Sequence, residues 1–418
     1  MKKSMLALAV LGAFAGAAQA QSSVTIYGIV DTGVTYTNRA VDSTGTNTGS
    51  KFGVNSGILS GSRIGFKGNE DLGGGLKAVF QLESGFSNDN GQLQGNDAAT
   101  ASNLFRRKSV VGLAGDFGTV LVGRQADYAF EQGAITSVGD FGGITSNVGT
   151  GLSRLQGTRT NNSVRYDTNV YSGFMGSAIY GFGEQAGSNA AGQAFGAALA
   201  YANGPLNLSA SYYQSKNAAG STSNSSASDT SLIQQVSGTG ALTSNSAYIN
   251  SNVGTALRTF TLAAKYNLGN ANVYGNWSRV KQPGAVAQGT AANFSATTAF
   301  SSSTTGATGF VIGGGNNSQA DLYEIGGNYA LSPSLKLMAA IEYSKLTFVG
   351  ANTQGKLTQY NIGADYMLSK RTDVYTALSF LNASNTYNPG IGAGSIGASA
   401  AGRDNGQAAL SVGVRHTF

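Results

Sequence analysis

Few of the 418 residues have types and spacing that could support catalysis or cofactor binding. The only histidine is His416 and there is no cysteine, so neither a Ser-His pair nor a thiolate metal site is expected. Residues 350–356 resemble a phosphate-binding loop, but Leu357 stands where Ser or Thr would bind magnesium. The G-x-G-x-x-G match at 392–397 precedes no helix, and the single acid in 88–91 is a poor calcium ligand set. We therefore predict no enzymatic activity, no metal site and no cofactor.

Charged and amide side chains instead occur at alternate positions within short apolar segments. In 335–344, for example, Leu337 and Ile341 alternate with Lys336 and Glu342. A period of two places the two sets on opposite faces of a strand. Because one face stays polar along the whole chain and the segments are about ten residues long, the pattern predicts strands that separate lipid from water.

About sixteen such segments occupy residues 23 to 418, and the connectors between them alternate between tight turns and long segments. The long connectors are 37–59, 86–103, 128–159, 217–256, 283–318 and 383–405. This alternation predicts a cylinder with one end of short turns and one end of long loops. An unpaired backbone group in hydrocarbon costs several kcal/mol, so strand 23–36 must pair with strand 406–418. The predicted fold is an all-β, sixteen-stranded antiparallel transmembrane β-barrel.

The first twenty residues have the features of a secretory signal peptide. Lys2 and Lys3 precede the apolar run 5–16, and Ala18-Gln-Ala20 fits a cleavage site before Gln21. The rest of the chain, 21–418, contains no linker, so we predict a single barrel domain. Removal of the peptide leaves 24 basic and 20 acidic side chains. Because these charges are spread along the chain, no nucleic-acid partner is expected.

Four segments carry a resemblance to a known family. They are 21–31 (QSSVTIYGIVD), 62–68 (SRIGFKG), 117–125 (FGTVLVGRQ) and 412–418 (VGVRHTF). In this order they resemble the Gram-negative general porins, in the β-proteobacterial and neisserial branch of trimeric sixteen-stranded porins. The resemblance implies an outer-membrane, water-filled channel for passive diffusion of small hydrophilic solutes and ions.

The resemblance also implies partners. The protein is expected to form a homotrimer and to contact outer-membrane lipid and lipopolysaccharide. The terminal aromatic residue Phe418, on the last amphipathic strand, is expected to be the signal read by the barrel assembly machinery.

In the family the third long loop folds into the barrel, which implies the same for 128–159. Residues 139–143 (GDFGG) resemble the acidic Phe-Gly-Gly motif of that loop, so Asp140 is assigned an acidic role lining the pore constriction. Glu131 is assigned from its place on the same loop. A basic ladder on the facing wall is expected from four residues: Arg63 and Arg124 in matching strand motifs, Arg159 as a weaker match, and Lys77 from alternation alone.

Arg124 poses a problem for this assignment. Strict alternation places it with Val120 and Val122, toward lipid, where an arginine at the bilayer midplane costs ~2–4 kcal/mol. A bulge or an early strand end that turns Arg124 inward is therefore expected. Acidic and basic groups across a narrow opening would create a transverse field that favours small polar solutes, with a weak preference for anions.

Three alternatives remain open from the sequence. A substrate-selective porin would need aromatic residues along the lumen. A surface adhesin or antigenic barrel would act through its long loops. A barrel enzyme would need a buried Ser/His pair or acidic pair, which a single terminal histidine does not favour.

Overall fold

The computed structural model describes residues 23–41, 48–93, 104–148, 155, 159–184, 186–187, 189–190, 192–216, 234–236, 242–244, 257–281, 317–348, 354–384, 390–391 and 406–418. The predicted signal peptide, residues 1–20, lies outside the described residues. Most of the long connectors 217–256 and 283–318 also lie outside them.

The strands of the first half are β1 Ser23–Val41, β2 Thr48–Ser56, β3 Arg63–Gly73, β4 Leu76–Gly85, β5 Lys108–Gly115, β6 Gly118–Gln125, β7 Thr160–Asp167, β8 Phe174–Gly181, β9 Ala194–Asn203 and β10 Leu206–Ser215. A separate small hairpin consists of β11 Gln234–Val236 and β12 Leu242–Ser244. The remaining strands are β13 Leu257–Asn267, β14 Ala271–Lys281, β15 Asn317–Ala330, β16 Leu335–Phe348, β17 Gln354–Met367, β18 Thr372–Ser384 and β19 Gly406–Thr417.

Helical structure follows β6. It comprises α1 Tyr128–Gln132, a 3₁₀ turn Gly133–Ile135, α2 Ser137–Phe141 and a 3₁₀ segment Gly142–Val148. No helix among the described residues has the length and hydrophobicity needed to cross a bilayer.

Every pair of neighbouring strands is antiparallel, and the large sheet closes on itself. Seventeen strands occupy sixteen positions, because β2 and β3 pair with successive parts of β1. Residues 29–37 of β1 pair with residues 417–409 of β19. Gly28 and Phe418 extend this seam with two backbone hydrogen bonds of 3.0 and 3.1 Å. The predicted sixteen-stranded barrel and the pairing of its first and last strands are confirmed.

The second strand position differs from the prediction, which treated 37–59 as a long connector. β1 instead continues to Val41, and β2 returns antiparallel to it over Thr48–Ser56. β2 and β3 together fill one strand position of the barrel, and residues 57–62, which are not in a strand, separate them. The Asp31 carboxylate fixes this non-strand segment, because one of its oxygens accepts hydrogen bonds from the N–H groups of Leu59 (2.9 Å) and Ser60 (2.6 Å). Its other oxygen accepts the Tyr375 hydroxyl. Because residues 48–56 are mostly polar, the sequence does not indicate this strand, although it pairs with β1 from end to end.

The two faces of each strand follow the predicted alternation. Leu337 and Ile341 are exposed on the outer surface, whereas Met338 and Glu342 are buried on the inner one. Four strands carry outward aromatic residues six positions apart: Phe195 and Tyr201, Phe260 and Tyr266, Tyr323 and Tyr329, and Tyr360 and Tyr366. Six residues span roughly 20 Å along a strand, so the rings form two belts on the outer surface, as expected at the two membrane interfaces.

The seam depends on a glycine. A Cβ atom on Gly28 would lie 2.3 Å from the Phe418 ring and 2.6 Å from the Arg63 carbonyl oxygen. We expect Gly28→Ala to destabilise the barrel by ~1–3 kcal/mol, the usual cost of overpacking, and to lower the heat-induced unfolding temperature on semi-native gels.

Gly176→Ala on β8 is the matched control. Its Cβ would meet only Thr168, at an ordinary distance of 3.5 Å. Equal unfolding temperatures for the two variants would contradict the proposed packing at the seam.

Candidate functional site

The described part of the third long loop, residues 128–148, folds inside the barrel and follows the inner wall. The Ser211 hydroxyl on β10 donates to Gln132 (2.6 Å) near the start of the loop. The Gln359 amide on β17 donates to the carbonyl of Ile144 (3.0 Å) farther along it. The described part of the loop therefore lies against the wall from β10 to β17 and narrows the lumen from that side.

A pair of glutamates holds the middle of the loop. Glu324 and Glu342 lie directly opposite each other on β15 and β16, and both are buried. The N–H of Ser137 donates to Glu324 (2.6 Å), and its hydroxyl lies 2.7 Å from Glu324 and 2.9 Å from Glu342. Asn361 also donates to Glu342 (3.1 Å). Buried carboxylates are costly without donors, so the loop and these glutamates stabilise each other.

Asp140 makes a second attachment on the wall side of the loop. Its carboxylate accepts two hydrogen bonds from the Asn328 amide (2.9 and 3.1 Å) and lies 3.4 Å from the Lys336 ammonium. Lys336 also contacts Asp365, which pairs with Arg415. With only 7% of the residue exposed, Asp140 fixes the loop to β15 and β16.

An apolar core lies inside the barrel, beneath the loop. Phe141 and Ile144 of the loop pack with Ile58 and Leu59 of the interrupted second strand position, and with wall residues of β16 to β19. Gly142 has a φ of 51°, and a Cβ there would lie 1.7 Å from the Leu59 carbonyl oxygen. A glycine is therefore required where the loop crosses this segment.

Glu131 lies on the opposite, open face of the loop. Its side chain is 47% exposed and pairs with Arg165 of β7 at 2.8 Å. Arg165 also pairs with Asp167 (2.9 Å) and is itself buried. The exposed part of the Glu131 carboxylate thus faces the water of the lumen.

Basic side chains gather on the wall formed by β3 to β7, which we call the basic wall and define as Arg63, Arg107, Lys108, Arg159 and Arg165. Arg107 pairs with Glu83 (2.6 Å), and Arg159 donates to the Arg107 carbonyl (3.0 Å). Arg63 interacts electrostatically with Arg107 and Glu83. Glu83 is further held by the Tyr27 hydroxyl (2.9 Å). The basic groups outnumber the acids beside them, so this wall is electropositive.

Two groups of the loop region have shifted pKa values. Burial, helped by the neighbouring Arg107, lowers the pKa of Arg159, whose guanidinium lies 4.8 Å above the Phe130 ring. A guanidinium begins so far above neutral pH that Arg159 stays charged. Burial, helped by Glu131, raises the pKa of Tyr128, so its phenol stays neutral at physiological pH.

Of the remaining two residues predicted for the constriction, Lys77 lies apart from this group, whereas Arg124 lies within electrostatic reach of Arg159. Lys77 is exposed next to the short turn at the start of β4, six residues or roughly 20 Å along the strand from Glu83. Arg124 lies opposite Ser109, on the face that carries Val122. The expected bulge is present at Gly123, where φ is 133° and the pairing with β7 shifts. The Arg124 guanidinium is held by the Arg106 carbonyl (2.5 Å) and the Asn161 side chain.

Comparison with known proteins places this architecture in a family. A model of the Gram-negative porin family matches residues 7–386. The outer membrane porin protein 32 of Delftia acidovorans is 32% identical over the full length of both chains. The chain belongs to the Gram-negative porin family.

Two further matches agree. An outer membrane porin protein of Bordetella pertussis is 41% identical over 236 residues, which are 51% of this chain and 60% of that protein. An anion-selective porin from Comamonas acidovorans superimposes with a TM-score of 0.68 and 26% identity, covering 95% of this chain and 100% of that one. The protein is thus an outer-membrane porin, a barrel for passive diffusion; the family and the fold are those of non-enzymatic channels.

The sequence placed several important porin residues on the correct face without revealing their roles. Alternation along β4 and β1 predicts that Glu83 and Asp31 point inward, and they do, but their partners Arg107 and Leu59 come from other segments. Glu324 and Glu342 carried a signal, since two inward glutamates fall at paired positions of neighbouring strands. Ser137 carried none, because nothing in its local sequence marks it as a donor to distant carboxylates.

The Ser137 anchor can be tested by removing one hydroxyl. Ser137→Ala leaves Glu324 and Glu342 without a shared donor, and a lost hydrogen bond to a charged group costs roughly 1.5–3 kcal/mol. We expect more frequent partial closures and noisier open currents in single-channel recordings.

Ser209→Ala is the control. The Ser209 side chain on β10 is also buried and faces the lumen, but its hydroxyl has no hydrogen-bond partner among the described residues. If both variants conduct as steadily as the parent protein, the anchoring role of Ser137 is wrong.

Proposed function

We propose that this porin is a general diffusion channel with a weak preference for anions, narrowed between its inward loop and the basic wall. The observation that carries the proposal is the difference in charge across the opening. Arg63, Arg107 and Arg159 lie on one side, while the exposed Glu131 lies on the open face of the loop. The buried acids Glu324, Glu342 and Asp140 accept hydrogen bonds from the loop or the wall, while the five cations of the basic wall outnumber the acids beside them. We therefore expect a net positive potential along the water-filled path.

In this proposal Arg63, Arg159 and Glu131 keep the constriction role that the sequence predicts, and Arg107 joins them. Asp140 acts as an attachment of the loop. Lys77 contributes more weakly because it lies near the turn end of β4, and Arg124 because it lies on the face that carries Val122. A transverse field of this kind orients small polar solutes and disfavours lipophilic ones, which would have to displace ordered water. We infer no catalytic reaction.

Charge neutralisation tests the preference. In water, one unit charge 8 Å away contributes about 0.5 kcal/mol, roughly a twofold change in the local concentration of each ion. We expect Arg63→Gln to shift the reversal potential in a planar-bilayer salt gradient toward cations, and Glu131→Gln to shift it toward anions.

Lys77→Gln removes the same charge from an inward position near the turn end, and should shift the reversal potential much less. The proposal fails if Arg63→Gln and Lys77→Gln change the reversal potential equally, or if Glu131→Gln shifts it toward cations.

We also propose that the protein is a homotrimer that associates through the outer face of β19, β1 and β3–β5. Tyrosine is absent from the described strands β3–β6 and from β19, and β1 carries a single outward tyrosine, Tyr36, so the belts of interfacial tyrosine thin out on this face. This face instead exposes aliphatic residues such as Val111 and Val412. Such a face suits contact with another protein surface better than contact with a membrane interface.

A bulky substitution distinguishes protein contact from lipid contact. Val111→Trp should block trimer formation, measured as mass in detergent by light scattering, while the barrel still folds. Leu199→Trp on the outer face of β9, where lipid is expected, should leave the trimer intact. A trimeric Val111→Trp protein would place the interface elsewhere.

A further inference from the structure

The two glutamates that hold the inward loop belong to a row of inward-facing polar residues that crosses four strands. The strand register places Asn276 of β14 opposite Glu324 of β15, Glu324 opposite Glu342 of β16, and Glu342 opposite Gln359 of β17. Side chains at directly opposed positions have Cβ atoms about 5 Å apart. Glu324 and Glu342 are both buried, so two carboxyl groups share one site from which most of the water is excluded.

The hydrogen atoms around this pair are too few for two carboxylates. The Ser137 hydroxyl lies within hydrogen-bond distance of both, at 2.7 Å from Glu324 and 2.9 Å from Glu342. A hydroxyl group carries one hydrogen, so it donates to only one of them. The second contact is a hydrogen bond only if the carboxyl group itself carries a hydrogen and donates it to the Ser137 oxygen.

Two further oxygen atoms of the row lack a donor. Oε2 of Glu342 and Oε1 of Gln359 have no hydrogen-bond partner among the described residues, and the two side chains are 3% and 0% exposed. Ser137 and Asn361 contact the other oxygen of Glu342, and the Gln359 amide group donates to Ile144 and Asn361. Buried acceptors without donors are unfavourable. A proton on Glu342 supplies the donor that this part of the row needs.

The surroundings of the pair are neutral or negatively charged. Among the described residues, the titratable groups that face it are Asp140 of the loop and Tyr274 of β14. Asp140 adds negative charge, tyrosine is neutral at physiological pH, and β17 contributes two neutral amides. Lys336, an inward cation of β16, contacts Asp140 and lies six residues, or roughly 20 Å, along the strand from Glu342. Two ionised glutamates at this site would therefore repel each other without a facing counter-charge.

We propose that Glu324 and Glu342 share one bound proton, and that this proton holds the inward loop against the wall. With the proton on Glu342, the Ser137 hydroxyl donates to Glu324 and accepts from Glu342, so one loop residue joins two strands. Transfer of the proton to water leaves two buried carboxylates that repel each other, and the bond between Ser137 and Glu342 is lost. The middle of the loop then leaves the wall and moves into the opening. The pair is thus a pH-sensitive latch, which goes beyond the diffusion function and does not depend on ion preference.

Single-channel recordings at increasing pH test the latch. Because each release of the loop gives up one proton, the ratio of partially closed to open time in the parent protein should rise by about tenfold per pH unit. The useful range extends from neutral pH to about pH 10, where tyrosine and lysine titrate. Glu342→Gln keeps a side chain of the same size with hydrogens to donate but without charge, so its closures should not change with pH. The basic wall is unaltered in this variant, so a pH effect on that wall would persist.

Asp373→Asn is the matched control. Asp365 and Asp373 form another pair of neighbouring inward carboxyl groups, but the Arg415 guanidinium contacts both, at 3.3 and 3.1 Å. A counter-charge is thus already present there, and the pair is not bonded to the loop through a shared hydroxyl. Removal of the Asp373 charge should leave the rise in closures with pH as large as in the parent.

Infrared spectroscopy detects the proton without reference to conduction. In lipid vesicles at neutral pH, where exposed glutamates are ionised, the parent protein should show the C=O stretch of a protonated carboxyl group that Glu342→Gln lacks. Glu131→Gln, which removes an exposed carboxylate, should leave this band unchanged. In the parent protein the band should decrease over the pH range in which the closures increase, a result that requires no variant to fold.

Three results would overturn the latch. The first is a rise in closures with pH in Glu342→Gln that equals that of the parent. The second is loss of the pH response in Asp373→Asn, and the third is a parent protein whose carboxyl band at neutral pH is the same as that of Glu342→Gln. None of these results would alter the reversal potentials that test the proposed function.

Discussion

The constraint on which the whole molecule depends is that no backbone amide or carbonyl can face hydrocarbon without a partner. A sheet satisfies this requirement only if its first and last strands meet. The seam between β1 and β19, extended by the bonds between Gly28 and Phe418, is where the chain does so. Once the wall is closed, its outer face is free to be apolar and its inner face can carry the charges that a water-filled path requires.

Closure alone would leave a wide opening, and the inward loop changes both the width and the chemistry of the lumen. The loop buries Glu324, Glu342 and Asp140 on one wall, where they serve as attachments. It leaves Glu131 exposed, while its Phe130 ring packs on the Arg159 guanidinium of the basic wall. The electrostatic character of the path is therefore set as much by which charges the loop conceals as by which charges the wall carries.

The barrel could be predicted from the sequence because its signal is local. Alternation with a period of two recurs along the strands, and the segment 335–344 that shows it most clearly forms most of β16. The strand at 48–56 was missed because Phe52 and Val54 are its only large apolar residues, and the rest of the segment is Gly, Ser, Thr, Lys and Asn. The contacts of Ser137 and Arg107 could not be predicted, because they join residues distant in sequence through tertiary packing.

The seam has a consequence for how the barrel acquires its shape. β1 is synthesised well before β19, yet one edge of β1 pairs only when β19 is available. Pairings of such extreme sequence separation form slowly, since a very long chain must be closed before they contribute. Until then, one edge of β1 presents unpaired N–H and C=O groups that can pair with other chains. The protein is therefore most prone to aggregation between export and closure of the barrel.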